Sequence, residues 1–123
     1  MIKLAINGFG RIGRNILRAL YETGLASAMK VVAINEIADA NGIAHLLKYD
    51  TTHGRFGFSV THQDSKLIVA GDEITLTHED SISNLPWGKL DVDLVLECTG
   101  VYTTREHAQM HLDAGAKQKE ANE

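Results

Sequence analysis

The chain has a single cysteine, Cys98, among 123 residues, so it cannot form a disulfide within itself. It also lacks an apolar run long enough to span a membrane. The opening residues, Met1 to Gly8, are typical of a strand and not of a signal peptide, because no small-residue cleavage site follows an apolar stretch. These absences predict a cytoplasmic protein in a reducing compartment.

An excess of basic residues is missing as well. Lysine and arginine total 12 against 16 acidic residues, which gives a formal net charge of -4. Nucleic-acid backbones and anionic membranes both require a basic protein face, so we expect neither as a partner. The sequence has no internal repeat and no low-complexity linker, and its length is that of one ordinary domain.

The first part of the chain has the pattern of a strand, a helix and a second strand. Ile2 to Asn7 is short, apolar and followed by glycine, as a buried strand should be. Apolar residues then recur at helical spacing from Gly10 to Thr23, and Gly24 is well placed to end that helix. Met29 to Asn35 is a second buried strand. Such a βαβ unit makes its two strands parallel and its crossover right-handed.

The rest of the chain predicts an α/β fold: a Rossmann-type parallel sheet with helices on both faces and a small antiparallel hairpin insertion. The expected elements are a helix capped by Asp39 and ending near Tyr49, short strands at Ser59–His62, Lys66–Val69 and Glu73–Thr77, a third buried strand at Asp93–Cys98, and a helix at Arg105–Asp113 capped by Thr104 and stopped by Gly115.

The last seven residues differ from everything before them. Residues 117–123 contain no β-branched residue and nothing to bury. We therefore expect a domain over residues 1–116 and a polar, disordered tail over residues 117–123. The parallel sheet would then end in an unpaired edge beside the third strand, which is a liability for solubility.

The loop after the first strand carries the clearest functional motif. Gly8-Phe9-Gly10-Arg11-Ile12-Gly13 fits G-x-G-x-x-G, follows a strand and opens a helix. In such a loop the first glycine permits a tight turn, the second lets the backbone approach a pyrophosphate, and the third lets helix and strand pack closely. The helix N-terminus offers amide N–H groups to the anion. The motif predicts a dinucleotide site.

Glu36, one residue beyond the second strand, is expected to accept hydrogen bonds from the adenosine ribose and to repel a 2'-phosphate, which favours NAD over NADP. A solvated loop carboxylate is the alternative, since Asp39 is a nearby competitor. Thr99 and Gly100 end the third strand, where they either line the cofactor groove or form an ordinary turn. The predicted cofactor-binding residues are Asn7, Gly8, Phe9, Gly10, Arg11, Ile12, Gly13, Asn35, Glu36, Thr99 and Gly100.

No catalytic or metal-binding residue is predicted. Cys98 lies inside a strand without a visible base, so we interpret it as a small buried residue. His107 and His111 are four residues apart on one helix and could share a metal, but no third ligand is evident. A solvated helix face is the favoured interpretation of that pair.

Three segments resemble the family of phosphorylated-aldehyde dehydrogenases related to glyceraldehyde-3-phosphate dehydrogenase: Ala5 to Arg14, His45 to Phe56 and Glu97 to Tyr102. Asn35 to Asp39 and Tyr102 to His107 are most similar to its erythrose-4-phosphate dehydrogenase branch. The resemblance implies that Arg11, Ile12, Glu36, Thr99 and Gly100 touch NAD. It also implies oxidation of erythrose 4-phosphate to 4-phosphoerythronate, which feeds pyridoxine biosynthesis, in a tetramer or another homo-oligomer.

Two departures from the family pattern matter. Asp80 follows Glu79 where the branch usually has an arginine that helps to hold the adenosine end. The Ser-Cys-Thr-Thr-Asn motif that supplies the family's nucleophile is absent from these 123 residues, so we expect a chain truncated before the catalytic domain and inactive by itself. The alternative is a remnant that binds no cofactor and self-associates through an exposed sheet edge.

Overall fold

Strands and helices alternate along the described parts of the chain. The computed structural model describes residues 1–37, 40–48, 57–81, 84–99 and 105–121. No helix among these residues is both long and apolar enough to cross a lipid bilayer. The elements in chain order are β1 (Ile2–Asn7), α1 (Arg11–Glu22), β2 (Met29–Asn35), α2 (Ala40–Lys48), β3 (Val60–Gln63), β4 (Lys66–Val69), β5 (Asp72–Thr77), β6 (Leu94–Glu97), α3 (Arg105–Asp113) and β7 (Gln118–Ala121).

Strand β1 occupies the interior of one sheet, whose order over the described residues is β3-β4-β5-β2-β1-β6-β7. It pairs in parallel with β2 on one side and with β6 on the other. The chain therefore leaves β1 in one direction, through α1 to β2, and later returns to its opposite edge as β6. Ligands of open α/β sheets bind at the carboxyl ends of the strands beside such a reversal. The predicted parallel βαβ unit is confirmed.

Both faces of the sheet are covered, because successive side chains of a strand point to opposite faces. Ile6 of β1 is buried in one core together with Leu17 of α1 and Ile43 of α2. Ala5 belongs to a second core on the other face, against which Met110 of α3 packs. Helices thus lie on both faces, as the sequence predicts for a Rossmann-type α/β fold.

The predicted antiparallel hairpin is also present, and it is continuous with the main sheet. β3 pairs with β4 and β4 with β5 in antiparallel fashion. Asp64 has φ 53° in the first turn, and Ala70 and Gly71 have φ 51° and 88° in the second. The far end of β5 then pairs in parallel with β2, from Ala33 opposite Thr75 to Asn35 opposite Thr77. The end of β5 thereby lies beside the end of β2.

The expected disordered tail is wrong for most of its length. Gln118–Ala121 forms strand β7, parallel to β6 from Leu94 opposite Gln118 to Glu97 opposite Ala121. The edge of β6 that we expected to be unpaired is therefore covered. Backbone N–H and C=O groups of an open edge pair with any chain that lies alongside, so a strand forms there without apolar side chains. The predicted caps Asp39 and Thr104, and Tyr49, lie outside the described residues.

Candidate cofactor-binding site

The turn that leaves β1 requires glycine at its first position. Gly8 has φ 91°, and its N–H donates to the carbonyl oxygen of Asn35 at 2.8 Å. A Cβ atom built on Gly8 would lie 2.6 Å from Cγ2 and 2.9 Å from the backbone nitrogen of Thr99. The loop after β1 and the end of β6 are therefore in close contact, and any side chain at Gly8 would separate them.

The other two glycines of the motif lie in opposite environments. A Cβ on Gly13 would lie 2.7 Å from the carbonyl oxygen of Gly8 and 3.1 Å from Cγ2 of Ile6, so α1 packs directly against the loop and the strand. A Cβ on Gly10 would meet nothing within 4 Å. Gly10 is the N-cap residue of α1, and no side chain caps that terminus by a hydrogen bond. The open backbone at Gly10 and the start of a helix fit a diphosphate.

Glu36 lies beside this loop at the end of β2. Its Oε1 accepts a hydrogen bond from the backbone N–H of Phe9 at 2.8 Å. Its own backbone is held to the next strand, since its N–H donates to Thr77 and its carbonyl oxygen accepts from Nδ1 of His78 at 2.7 Å. A carboxylate has acceptor sites for about four donors, a chemistry that suits the two hydroxyls of a ribose.

Asn7 and Asn35 end β1 and β2, and both side chains are buried, at 2% and 6% exposure. Nδ2 of Asn35 donates to Oδ1 of Asn7 at 2.8 Å and to the carbonyl oxygen of Glu79 at 2.9 Å. Oδ1 of Asn35 accepts from the Thr77 hydroxyl at 2.7 Å and from the N–H of Glu79 at 2.9 Å. Asn35 therefore fixes the backbone after β5, while Asn7 extends the same network toward β6.

Glu97, at the end of β6, is a buried acid that the sequence analysis missed. Its carboxylate accepts hydrogen bonds from Nδ2 of Asn7 at 2.9 Å, the Thr99 hydroxyl at 2.8 Å and Nε2 of His111 at 2.5 Å. Burial alone raises the pKa of Glu97, but the bonds from His111, Asn7 and Thr99 outweigh it and hold the pKa below its ordinary value. The sequence signal for this buried acid is a glutamate directly after the apolar residues Leu94-Val95-Leu96.

A cleft of about 210 Å³ opens at the carboxyl ends of these strands. Its wall is acidic, because three carboxylates contribute to it, and Ile37, which is 73% exposed, adds an apolar side chain. Neither Ile37 nor Glu79 was predicted from the sequence as a site residue. The residues that line the cleft are Asn7, Gly8, Asn35, Glu36, Ile37, Glu79, Asp80 and Thr99.

The remaining predicted residues are divided between core, surface and undescribed parts of the chain. The Phe9 side chain is buried in the core, and its backbone N–H donates to Glu36. Arg11 is exposed and Ile12 is half-buried in the first turn of α1. Gly100 lies outside the described residues. Five of the predicted residues thus line the cleft: Asn7, Gly8, Asn35, Glu36 and Thr99.

Cys98 and His111, the two other residues considered for chemistry, are both at least half-buried. Cys98 is half-buried, and burial together with the charge of Glu97 raises the pKa of its thiol to about 11, which makes it a poor nucleophile. His111 is fully buried, so its assignment to a solvated helix face is wrong. Its spacing from His107 did not reveal which side of α3 meets the core. Among the described residues, no three potential ligands are grouped to hold a metal ion.

Comparison with known protein families supports the same assignment. The family model described as glyceraldehyde 3-phosphate dehydrogenase, NAD binding domain, matches residues 2–105 of the 123-residue chain. The match spans β1 to the start of α3 and includes every residue that lines the cleft. NAD is therefore the cofactor of this fold, and the chain belongs to the glyceraldehyde 3-phosphate dehydrogenase family, of which it carries the NAD-binding domain.

Proposed function

We propose that this chain is the NAD-binding domain of a phosphorylated-aldehyde dehydrogenase that acts on erythrose 4-phosphate. The observation that carries the proposal is the pairing of an open backbone at Gly10 with a carboxylate, Glu36, at the end of the neighbouring strand. The choice of erythrose 4-phosphate rests on the resemblance of Asn35 to Asp39 and of Tyr102 to His107 to that branch of the family.

The diphosphate and the adenosine ribose of NAD each have residues suited to them. The backbone at Gly10 and the first turn of α1 would hold the diphosphate, since amide N–H groups at a helix start attract anions. Glu36 would accept the hydroxyls of the adenosine ribose. Glu36, Glu79 and Asp80 make the cleft wall acidic, which disfavours the additional phosphate of NADP. Once bound, NAD supplies the acceptor for a hydride.

The chain does not offer a thiol suited to attack an aldehyde. Its single cysteine, Cys98, is half-buried in the strand region, and its raised pKa of about 11 keeps it protonated near neutral pH. Covalent oxidation of an aldehyde by this family chemistry needs a thiolate. We therefore propose that residues 1–123 bind NAD but do not by themselves oxidise erythrose 4-phosphate.

A domain exchange tests the proposal. Residues 1–121 would replace the corresponding residues of an active erythrose-4-phosphate dehydrogenase and, separately, of an active glyceraldehyde-3-phosphate dehydrogenase, so that β7 is kept in the sheet. We expect NADH formation from erythrose 4-phosphate in the first hybrid and its loss when Gly10→Val is added. Activity in the second hybrid alone would reject the erythrose-4-phosphate assignment. Residues 1–123 alone, mixed with NAD and erythrose 4-phosphate, should form no NADH, and clear turnover would reject the second part.

A further inference from the structure

Buried and half-buried side chains form one hydrogen-bonded chain along the NAD cleft, and two of its members, Asn7 and Asn35, line that cleft. It crosses the carboxyl ends of four adjacent strands, from β5 through β2 and β1 to β6, and then continues to α3 and the loop before β6. Each link is between 2.5 and 2.9 Å. Its members in order are Thr77, Asn35, Asn7, Glu97, His111 and Trp87.

The indole of Trp87 fixes where the proton of His111 lies. Nε1–H of an indole only donates, and it lies 2.9 Å from Nδ1 of His111, so Nδ1 must be the acceptor. The ring proton is therefore on Nε2, which donates to Oε2 of Glu97 at 2.5 Å. A second proton on the ring would point at the indole N–H. The arrangement consequently requires a neutral imidazole and an ionised Glu97.

Every neighbour bonded to the Glu97 carboxylate is a donor. Oε1 accepts from the hydroxyl and, at 3.3 Å, from the backbone N–H of Thr99, while Oε2 accepts from Asn7 and His111. Asn7 and Thr99 both line the NAD cleft, whereas Glu97 is only 2% exposed and is absent from the lining. In the part of the chain that the structure describes, Glu97 is therefore linked to the cleft through these two residues.

We propose that Glu97, with neutral His111 bound to it, is a positioning residue of the NAD site that holds Asn7 and Thr99 in the cleft wall. The Glu97–His111 pair sets the distance between the ends of β1 and β6, where Gly8 and Thr99 are in close contact. An amide in place of the carboxylate turns at least one donor toward another donor. That mismatch displaces Asn7 or Thr99 even though the side-chain volume is unchanged.

The test combines a proton assignment with NAD affinity, both in the full chain. Two-bond ¹H–¹⁵N NMR at pH 7.5, with the His111 signals identified by their loss in His111→Phe, should find the proton on Nε2. Calorimetric titration should find that Glu97→Gln weakens NAD binding by about tenfold or more, the effect of losing a hydrogen bond to a charged group. Asp113→Asn, an exposed carboxylate-to-amide change at the end of α3, is the control and should leave NAD affinity within about twofold of the wild type.

Trp87→Phe gives a second test if Glu97→Gln does not fold, because it removes the indole donor to His111, together with part of a fully buried ring, and leaves the Glu97 carboxylate in place. We expect the Glu97 carboxylate to keep the ring proton of His111 on Nε2 in that variant, and NAD affinity to fall by about threefold or more because the ring loses the donor that holds Nδ1. A proton on Nδ1 in the wild type, or unchanged NAD affinity in folded Glu97→Gln, would overturn the proposal. So would an unchanged NAD affinity in folded Trp87→Phe. The tautomer measurement needs no NAD and no aldehyde, so its result is independent of the proposed function.

Discussion

Asn35 and Asn7 are joined side chain to side chain, with Nδ2 of Asn35 donating to Oδ1 of Asn7 at 2.8 Å. The sequence selected both residues as cofactor contacts, and both contribute to the wall of the cleft. Their amides are nevertheless bonded to protein groups on β1, β2, β5 and β6. They therefore tie together the ends of the strands on which a dinucleotide would rest.

We expect Asn35→Ala to lower the free energy of unfolding by about 2–4 kcal/mol, because it removes the four hydrogen bonds made by a buried amide. The affected groups are Oδ1 of Asn7, the Thr77 hydroxyl and both backbone polar groups of Glu79. Urea unfolding followed by circular dichroism measures the change. Gln63→Ala, an exposed change on edge strand β3, is the control, and equal losses in both variants would refute the role of Asn35.

Gly13→Ala should destabilise the fold by about 1–3 kcal/mol, the usual cost of overpacking. The new methyl would lie 2.7 Å from the Gly8 carbonyl oxygen, a backbone atom that cannot move without changing the loop. Alanine is otherwise a better helix former than glycine, so its propensity works in the opposite direction. Thermal unfolding distinguishes the two effects, and a stabilised Gly13→Ala would contradict the close packing of α1 against the loop.

The Cys98 thiol should react slowly with a disulfide reagent in the folded chain. At a pKa of about 11, only about one thiol in a thousand is ionised at pH 8. Burial and the adjacent charge of Glu97 both favour the protonated form. The rate should rise about tenfold per pH unit while the chain stays folded, and denaturant should restore ordinary reactivity. Rapid modification of folded protein at pH 7 would show that the thiol is not protected.

Acid should weaken the fold through Glu97. Hydrogen bonds hold the pKa of Glu97 below the ordinary 4.5 in the folded state. The contribution of ionised Glu97 to the free energy of unfolding is therefore complete above pH 4.5 and is lost as the pH falls through the folded pKa. The stability difference between the wild type and Glu97→Gln should therefore shrink below pH 4.5. Urea unfolding of both proteins between pH 3 and pH 7 gives that difference, and a constant value across the range would contradict the lowered pKa.

Asp80→Arg should raise the affinity for NAD and should raise that for NADP more. The substitution places a cation in the wall of the cleft, where Glu36 and Glu79 are also present, and NADP carries the larger negative charge. We expect a change of about three- to tenfold that declines with added salt. Glu73→Arg, with the same charge change at the other end of β5, is the control. Equal changes in affinity in both variants would show that the net charge of the protein, and not the position of residue 80, causes the effect.

The sequence was sufficient where local pattern and tertiary structure agree. β1 and β2 were predicted to the residue, because each is an apolar run buried on both faces and ended by a polar residue. The three hairpin strands were predicted within about a residue at each end, since glycine and aspartate mark the turns between them.

The sequence was insufficient where a neighbour decides the structure. Gln118–Ala121 has no strand pattern of its own and becomes β7 because the edge of β6 is available. Glu97 resembles any polar residue at the end of a strand until Asn7, Thr99 and His111 are brought around it. Such contacts join residues up to 90 positions apart, and single-sequence periodicity does not encode them.

Calorimetric titration of NAD into the wild type, Gly10→Val and Gly57→Val tests the central claim most directly. Gly10 has φ -78° and ψ -157° with open space around it, so valine fits the fold but occupies the place of the diphosphate. Gly57 is equally open but is not part of the loop between β1 and α1. We predict NAD binding by the wild type and Gly57→Val, and a loss of about a hundredfold or more in folded Gly10→Val. Equal binding by all three proteins, or none by the wild type, would contradict the account.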